Sequence, residues 1–200
     1  MKLIQIAITF ALFIFLANAT ARICTKRWEG NTKKLATTAT ILAIICAAGS
    51  VFLHGLGMHN IQTMLLFCVF LYASYGDIKT HEADDFIHVI ILATALITQR
   101  SENMPEALLT VLLTGGIMYL VAVLIPGAGI GGADIRFVAA CAFLCPMLSC
   151  FWGLGLGTFA ALLCNSPFRK NKDGEEKAPQ PYPMLPYLSC SYMFVYLLSC

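Results

Sequence analysis

Residues 137–164 read FVAACAFLCPMLSCFWGLGLGTFAALLC and contain no charged side chain in 28 positions. As a single helix this stretch would be about 42 Å long, whereas the hydrocarbon core of a bilayer is about 30 Å thick. Pro146 and the glycines of Gly153–Gly157 can interrupt a helix near the middle of the stretch. We therefore predict two short spans, joined by a tight turn near Ser149–Trp152. Gly153 and Gly157, four positions apart, are better interpreted as a helix-packing face than as part of a loop.

The whole chain has the composition of an integral membrane protein. Of its 200 residues, 58% are hydrophobic and 12% are charged, and the mean hydropathy is +0.76, whereas about 25% of the residues of a soluble domain are charged. Eight apolar runs follow one another, namely Leu3–Ala19, Leu35–His54, Ile61–Gly76, Phe86–Thr98, Leu108–Ile125, Phe137–Leu148, Phe151–Cys164 and Met184–Cys200. The first, second, fifth and eighth runs reach the length of a span, and the other four are shorter. We predict an all-α, polytopic transmembrane helix bundle of about eight spans, with residues 1–200 forming one integral-membrane domain.

The distribution of Lys and Arg predicts the orientation of this bundle. Loops that alternate between the two sides, with the N-terminus outside, place 11 of the 13 basic residues on the inner side. Positive residues mark the cytoplasmic side of a membrane protein. The predicted cytoplasmic loops are residues 22–34, 77–85, 126–136 and 165–183.

The first apolar run has a second interpretation. Met1-Lys2, the apolar stretch and Ala17-Asn18-Ala19 match the charged, hydrophobic and cleavage regions of a signal peptide. Cleavage would leave the five basic residues of 22–34 outside, against the charge rule. We therefore expect an uncleaved first span.

Metal, cofactor and nucleic-acid sites are not indicated. The nine cysteines form no CxxC pair and mostly lie in apolar runs, where a thiol is usually a small buried hydrophobe. His81 and Glu82 share a loop with three aspartates, and without ordered ligand spacing we interpret it as a solvated acidic loop. Gly127–Gly132 fits GxGxxG, but membrane spans flank it and no acidic residue follows at the required distance. We expect no metal, no organic cofactor and no nucleic-acid partner.

Two aspartates stand at the ends of apolar runs. Asp77 ends the third run and Asp134 precedes the sixth, and because two spans separate them they return to the same face. Two carboxylates that share a site hold one proton between them, because they cannot both ionise cheaply. Such a pair suits peptide hydrolysis, in which the ionised member activates water and the protonated member polarises the carbonyl.

Two alternatives to a catalytic pair remain open. Each aspartate could lie in solvent beside its own basic neighbour, Lys79 or Arg136. Carboxylates in membrane proteins also build proton relays, which would indicate a small proton-coupled transporter. No acidic residue lies deep within any apolar run, and this disfavours the relay.

The two aspartate segments resemble the motifs of a known family. Gly76-Asp77-Ile78-Lys79 and Gly131-Gly132-Ala133-Asp134-Ile135-Arg136 are similar to the motifs of the type IV prepilin peptidases, the GxGD class of membrane aspartyl proteases. In layout the resemblance covers residues 35–200. It implies that Asp77 and Asp134 are catalytic, with an active-site loop that contains Lys79, Gly131, Gly132, Ala133 and Arg136.

The chain departs from the family pattern at three positions, namely Asp84, Ala133 and Arg136. Asp84 and Asp85 stand where the family has proline followed by asparagine or aspartate. Ala133 replaces a glycine and disfavours positive φ, so we expect a less pliable loop. Arg136 replaces a lysine, which keeps the charge but not the shape. Without the cytoplasmic CxxC domain of the larger members, the chain resembles the short members, and methyltransferase activity is not expected.

The resemblance implies a function in type IV pilus biogenesis and secretion. The expected enzyme is an aspartic endopeptidase that removes the leader of a prepilin or pseudopilin. It would be a multi-pass protein of the bacterial inner membrane, its partners would be that substrate and the lipid bilayer, and its active site would face the cytoplasm. A catalytically degenerate member that acts in pilus assembly is a further alternative. The oligomeric state stays open.

Overall fold

The computed structural model describes residues 2–98, 104–124, 130–164 and 182–199. Over these residues the chain forms eight α-helices and no strand. In chain order they are α1 (Lys2–Arg27), α2 (Thr32–His54), α3 (Met58–Thr80), α4 (Asp85–Thr98), α5 (Met104–Leu124), α6 (Gly132–Cys141), α7 (Met147–Cys164) and α8 (Leu185–Ser199). The predicted helical membrane bundle is confirmed, and each of the eight apolar runs contributes one helix.

Five of the helices are long and apolar enough to cross a bilayer, namely α1, α2, α3, α5 and α7. Helices α4 and α8 are apolar but shorter, and α6 has 10 residues. The eighth run was expected to reach the length of a span, but α8 has 15 residues in the part that the structure describes. The protein is therefore a multi-pass membrane protein that combines long spans with shorter helices.

The predicted turn near Ser149–Trp152 is wrong. Helix α6 ends at Cys141 and α7 begins at Met147, so the turn occupies Ala142–Pro146. Proline has no N–H to donate, and it disfavours the helical conformation of the residue before it. Pro146 therefore keeps the turn after α6 from continuing as a helix through Cys145, and α7 begins directly after it, with the Pro146 carbonyl accepting the N–H of Cys150.

The helices run further into the predicted loops than expected. Helix α1 continues to Arg27 and α3 to Thr80, while α6 already begins at Gly132. Both Asp77 and Asp134 therefore lie in terminal helical turns and not in loops. The assignment of these loops to the cytoplasm stays a prediction.

One end of the bundle gathers the predicted site, and we call it the aspartate end. The side chain of Asp77 at the end of α3 contacts the backbone of Leu185 at the start of α8. Arg27 at the end of α1 pairs with Asp84 just before α4. These contacts place the ends of α1 and α3 beside the starts of α4 and α8.

The opposite end carries a second group of contacts, and we call it the histidine end. His54 at the end of α2 contacts the carbonyl of Leu197 in α8 at 2.8 Å, and its ring lies 4.1 Å from that of His59 in α3. The N–H of Met147, which opens α7, donates to Glu106 in the first turn of α5. Successive helices thus run from one end of the bundle to the other.

Small residues allow close helix packing in two places. In α2, Ala39, Ala43 and Ala47 are fully buried at a spacing of four, which lets neighbouring membrane helices approach closely. In α7, a Cβ on Gly153 would lie 3.0 Å from the Tyr192 ring, and one on Gly157 would lie 2.6 Å from Ser191 Oγ. The predicted packing face of α7 is confirmed, and it faces α8.

Candidate active site

Asp77 lies in the last turn of α3 and is only 7% exposed. The helix ends at His81, which adopts the left-handed conformation (φ 56°) and donates its N–H to the Asp77 carbonyl. The Asp77 carboxylate accepts a hydrogen bond of 2.8 Å from the N–H of Leu185. Because the first N–H groups of a helix have no partner within it, Asp77 acts as a distant N-terminal cap of α8.

Asp134 lies in the first turn of α6 and is 6% exposed. Its carboxylate accepts a hydrogen bond of 2.8 Å from the N–H of Gly131, the residue before the helix. This is the carboxylate half of a capping box, in which the third helical residue reaches back to the cap position. The local sequence therefore fixes the depth of Asp134 as well as the start of α6.

Two other helices hold α3 and α6 on either side of the aspartates. Helix α4 packs against both α3 and α6, and so does α8. Deeper in the bundle, the rings of Phe70 in α3 and Phe137 in α6 lie 5.2 Å apart, and Tyr192 of α8 meets Phe137 edge-on at 6.3 Å. These three buried rings form an apolar floor below the aspartates.

The two carboxylates are close enough to interact electrostatically. Burial raises the pKa of the Asp134 carboxyl to about 6, the Gly131 N–H opposes this shift, and the negative charge of Asp77 adds to it. Burial, followed by the charge of Asp134, raises the pKa of the Tyr182 phenol. Asp134 therefore has its negative charge disfavoured by an apolar setting and by a second acid, as expected for a pair that shares one proton.

The basic neighbours that could have neutralised the aspartates lie elsewhere. Arg136 pairs with Asp85 at the start of α4, and its Nε donates to the Gly132 carbonyl at 3.2 Å. The Lys79 ammonium lies over the Tyr75 ring, 5.8 Å from its centroid. Among the described residues, neither Arg136 nor Lys79 forms an ion pair with Asp77 or Asp134. This weakens the alternative in which each aspartate lies in solvent beside its own basic neighbour.

The predicted active-site loop is placed as follows. Gly131 supplies the N–H that Asp134 accepts, and Gly132 and Ala133 form the first two residues of α6. Ala133 is helical, so the expected difficulty with positive φ does not arise; in the described part of the chain Glu29 and His81 are the non-glycine residues with positive φ.

Asp84, which stands where the family has proline, has partners of its own. One of its carboxylate oxygens pairs with Arg27 at 2.9 Å, and the other accepts the Tyr72 hydroxyl at 2.9 Å. Arg27 also donates to the Tyr72 hydroxyl. Asp84 thus ties the loop before α4 to α1 and α3.

Trp28 covers the end of α3 directly before the first aspartate. A Cβ on Gly76 would lie 3.0 Å from the Trp28 ring, so this glycine is required for the close approach. The Trp28 ring also packs on Tyr72, with centroids 4.9 Å apart. The α1–α2 connection therefore packs against the last turns of α3, next to Asp77.

Three features of the site were missed by sequence reasoning. They are the α8 N-terminus that Asp77 caps, the nearby Tyr182, and the contact of His88 in α4 with the Ala133 carbonyl at 3.2 Å. The Pro-rich sequence Tyr182-Pro183-Met184-Leu185-Pro186, at the opening of the last span, could have indicated the first two. His88 sits four positions after Asp84 inside an apolar run, a pattern that carries no specific signal.

The described residues contain no group of three or more His, Cys, Asp or Glu side chains that could hold a metal ion. His81 and Glu82, in the segment interpreted above as a solvated acidic loop, are exposed, and the Glu82 backbone bonds to the Thr80 hydroxyl. Cys200 and residues 127–129 of the glycine-rich segment lie outside the described residues.

Comparison with known proteins identifies a family that the chain matches. The model of the type IV leader peptidase family matches residues 64–168, a range that contains both aspartates. Neither a curated protein nor a solved structure matches the chain.

Proposed function

The chain belongs to the type IV leader peptidase family and is therefore a protease, and we propose that it cuts by an aspartic mechanism that uses Asp77 and Asp134. Its substrates would be type IV prepilin-like proteins, from which it removes the leader at the cytoplasmic face. The observation that carries this proposal is the pair of buried carboxylates at one end of the bundle, each held by a backbone N–H and coupled by charge.

The environments of the two aspartates support different roles. Burial, with the charge of Asp77 adding to it, raises the pKa of Asp134 to about 6, and in this proposal Asp134 holds the proton and donates it toward the scissile carbonyl oxygen. Asp77 accepts the Leu185 N–H at the start of α8, and both this hydrogen bond and the helix dipole favour its ionised form. Asp77 is thus the base that takes a proton from the attacking water.

The proton transfers balance over the cycle. Water attacks the carbonyl carbon while Asp77 removes its proton and Asp134 protonates the carbonyl oxygen, which gives a neutral tetrahedral intermediate. Asp77 then passes its proton to the leaving nitrogen, and the C–N bond breaks. Asp134 takes back the hydroxyl proton as the carbonyl of the new carboxylic acid forms, which restores the pair.

The location of the pair suits a substrate that is itself anchored in the membrane. A prepilin with its apolar helix in the bilayer presents its leader junction at the membrane surface, and the aspartates lie at the ends of helices. The aspartate end also carries exposed basic side chains such as Arg22, Lys26 and Lys79, which favour the anionic cytoplasmic leaflet.

The structure gives no physical reason for a catalytically degenerate protein. Ala133 fits the helical position that it occupies, and Asp84 replaces the usual proline with two defined contacts. A proton-coupled transporter is also disfavoured, because the acidic residues within the five long helices are Asp77 and Glu106, each in a terminal turn. The interior of these helices therefore contains no acidic relay.

Leader cleavage by the purified protein tests the proposal. The protein in detergent is mixed with an intact prepilin, and mass spectrometry follows leader release by wild type, Asp77→Asn, Asp134→Asn and Glu82→Gln. We expect each aspartate variant to lose at least about 10³-fold in rate. Glu82→Gln changes an exposed acid at the same end and should cleave like wild type. Full leader removal by either aspartate variant would exclude the aspartic mechanism.

A further inference from the structure

His88 is a buried histidine beside the second aspartate for which the proposed reaction has no use. It lies in the first turns of α4 and is 9% exposed. Its Nε2 lies 3.2 Å from the carbonyl oxygen of Ala133, the residue directly before Asp134. Its other ring nitrogen, Nδ1, is buried and has no hydrogen-bond partner in the part of the chain that the structure describes.

The contact with Ala133 assigns the hydrogen on the ring. A carbonyl oxygen only accepts hydrogen bonds, so Nε2 must be the protonated nitrogen and the donor. This places the histidine N–H against the peptide group that joins Ala133 to Asp134. A peptide group is planar, so a hydrogen bond to its oxygen also restrains the backbone nitrogen of Asp134.

A second contact joins the same two helices closer to the surface. Arg136 of α6 pairs with Asp85 of α4, and this pair is largely exposed, with side-chain exposures of 56% and 78%. Asp85 precedes His88 by three positions and Ala133 precedes Arg136 by three, so in each helix the two residues share one face. An exposed ion pair contributes little to the stability of a fold. The contact between His88 and the Ala133 carbonyl, in contrast, is buried.

We propose that His88 is a positioning residue for Asp134. Its Nε2–H holds the Ala133 carbonyl and, through it, the first turn of α6, so that the Asp134 carboxylate stays at the depth where it couples to Asp77. This role rests on the proposed function, because it assumes that Asp134 takes part in catalysis. Loss of the donor would let the first turn of α6 shift, and a shift of about 1 Å in a catalytic group can cost about 10²-fold in rate.

Three substitutions separate this role from simple core packing. A glutamine amide can place its nitrogen where the Nε2 of histidine stood, whereas an asparagine amide reaches only the Nδ1 position. His88→Gln should therefore keep the donor, and His88→Asn and His88→Leu should lose it. His59→Leu is the matched control, because it also removes a histidine with an unpartnered buried nitrogen, but at the histidine end.

The first measurement is leader cleavage by the full-length protein in detergent. For His88→Leu and His88→Asn we expect kcat to fall about 10- to 100-fold with KM unchanged, and for His88→Gln a rate within about threefold of wild type. His59→Leu should change the thermal stability and leave kcat unchanged. Wild-type kcat in His88→Leu, or a loss in His88→Gln as large as that in His88→Leu, would overturn the proposal.

The second measurement does not depend on cleavage. Infrared difference spectroscopy with ¹³C-labelled aspartate follows the protonation of the Asp134 carboxyl in each variant. In His88→Leu we expect the midpoint to move from about 6 towards the ordinary value, because a displaced first turn admits water, and in His88→Gln we expect no movement. Equal midpoints in wild type and His88→Leu would overturn the positioning role even if the aspartate variants are inactive. If the aspartate variants cleave normally, the proposed function fails while this titration still reports on His88.

Discussion

Asp134 is the residue whose setting is most distinctive. It is nearly fully buried, it accepts one backbone N–H, and a second carboxylate raises the pKa of its side chain further. Desolvation is the larger cause, so most of the effect belongs to the first turn of α6 and the helices around it. The contribution of Asp77 is smaller, but it couples the two residues.

Replacing Asp77 should change the titration of Asp134. In Asp77→Asn the negative charge is lost while the side-chain volume is kept, so the pKa of Asp134 should fall below about 6. Infrared spectroscopy of the labelled carboxyl measures the midpoint, with Glu82→Gln as the control for an acid outside the site. An unchanged Asp134 midpoint in Asp77→Asn would mean that the two carboxylates are not coupled.

Removing the acid at position 134 should stabilise the fold at neutral pH. The folded state holds the Asp134 proton more tightly than the unfolded state, with a pKa of about 6 against 3.8, so wild-type stability falls as the pH rises between these values and then levels off. The Asp134→Asn variant has no carboxyl to ionise at this position, so its stability does not fall in this way. Its free energy of unfolding should exceed that of wild type by up to about 3 kcal/mol above pH 6. Thermal unfolding in detergent should show a higher Tm for the variant at pH 7 and a much smaller difference at pH 4. An equal difference at both pH values would contradict the burial account.

At the scale of elements, α8 connects the apolar packing of the bundle to the site. Its first N–H meets Asp77, and its middle packs against the glycines of α7. The close approach at Gly157 involves backbone as well as side chains, because an added Cβ would lie 3.1 Å from the Leu188 Cα. A displaced α8 would therefore withdraw the N–H that Asp77 accepts.

Two glycine substitutions in α7 should have opposite effects. Gly157→Ala would force α8 away and should destabilise the protein by about 1–3 kcal/mol, with a fall in cleavage rate. Gly155→Ala is the matched control, since nothing lies within 4 Å of its added Cβ, and alanine in place of a helical glycine should stabilise by about 0.5–1 kcal/mol. Thermal unfolding and cleavage rates measure both. A Gly157→Ala variant as stable and active as Gly155→Ala would show that α8 does not depend on this contact.

At the scale of the molecule, the bundle has two chemically distinct ends. The aspartate end carries the proposed site and the basic connections, and the histidine end carries the ring cluster of His54, His59 and Tyr196. The charge rule predicts that the aspartate end faces the cytoplasm. This orientation is a prediction that accessibility can measure.

Cysteine labelling in intact cells tests the orientation. In a background without the native cysteines, an impermeant maleimide added outside should label Met58→Cys at the histidine end and not Lys79→Cys near Asp77; both positions are exposed. After the membrane is opened, Lys79→Cys should also react. Labelling of Lys79→Cys in intact cells would place the site on the outer face and contradict the proposed cytoplasmic cleavage.

Much of this arrangement could be predicted from the sequence, for identifiable reasons. Long apolar runs predict helices because the backbone must satisfy its own hydrogen bonds in lipid. Two spans lie between Asp77 and Asp134, and this number predicted that both residues lie on the same side. The turn was misplaced because the glycines of α7 were weighed as breakers together with Pro146, whereas they serve packing against α8. The capping of α8 by Asp77 and the contact of His88 depend on tertiary packing between distant helices, which no local pattern encodes.

The central claim is that Asp77 and Asp134 act as one catalytic unit, and a double-mutant measurement tests it most directly. The kcat/KM for prepilin cleavage is measured for wild type, Asp77→Asn, Asp134→Asn and the double variant. Groups that act as a unit give non-additive losses, so each single variant should lose as much as the double variant. Additive losses, or a single variant that keeps wild-type kcat/KM, would contradict a shared site.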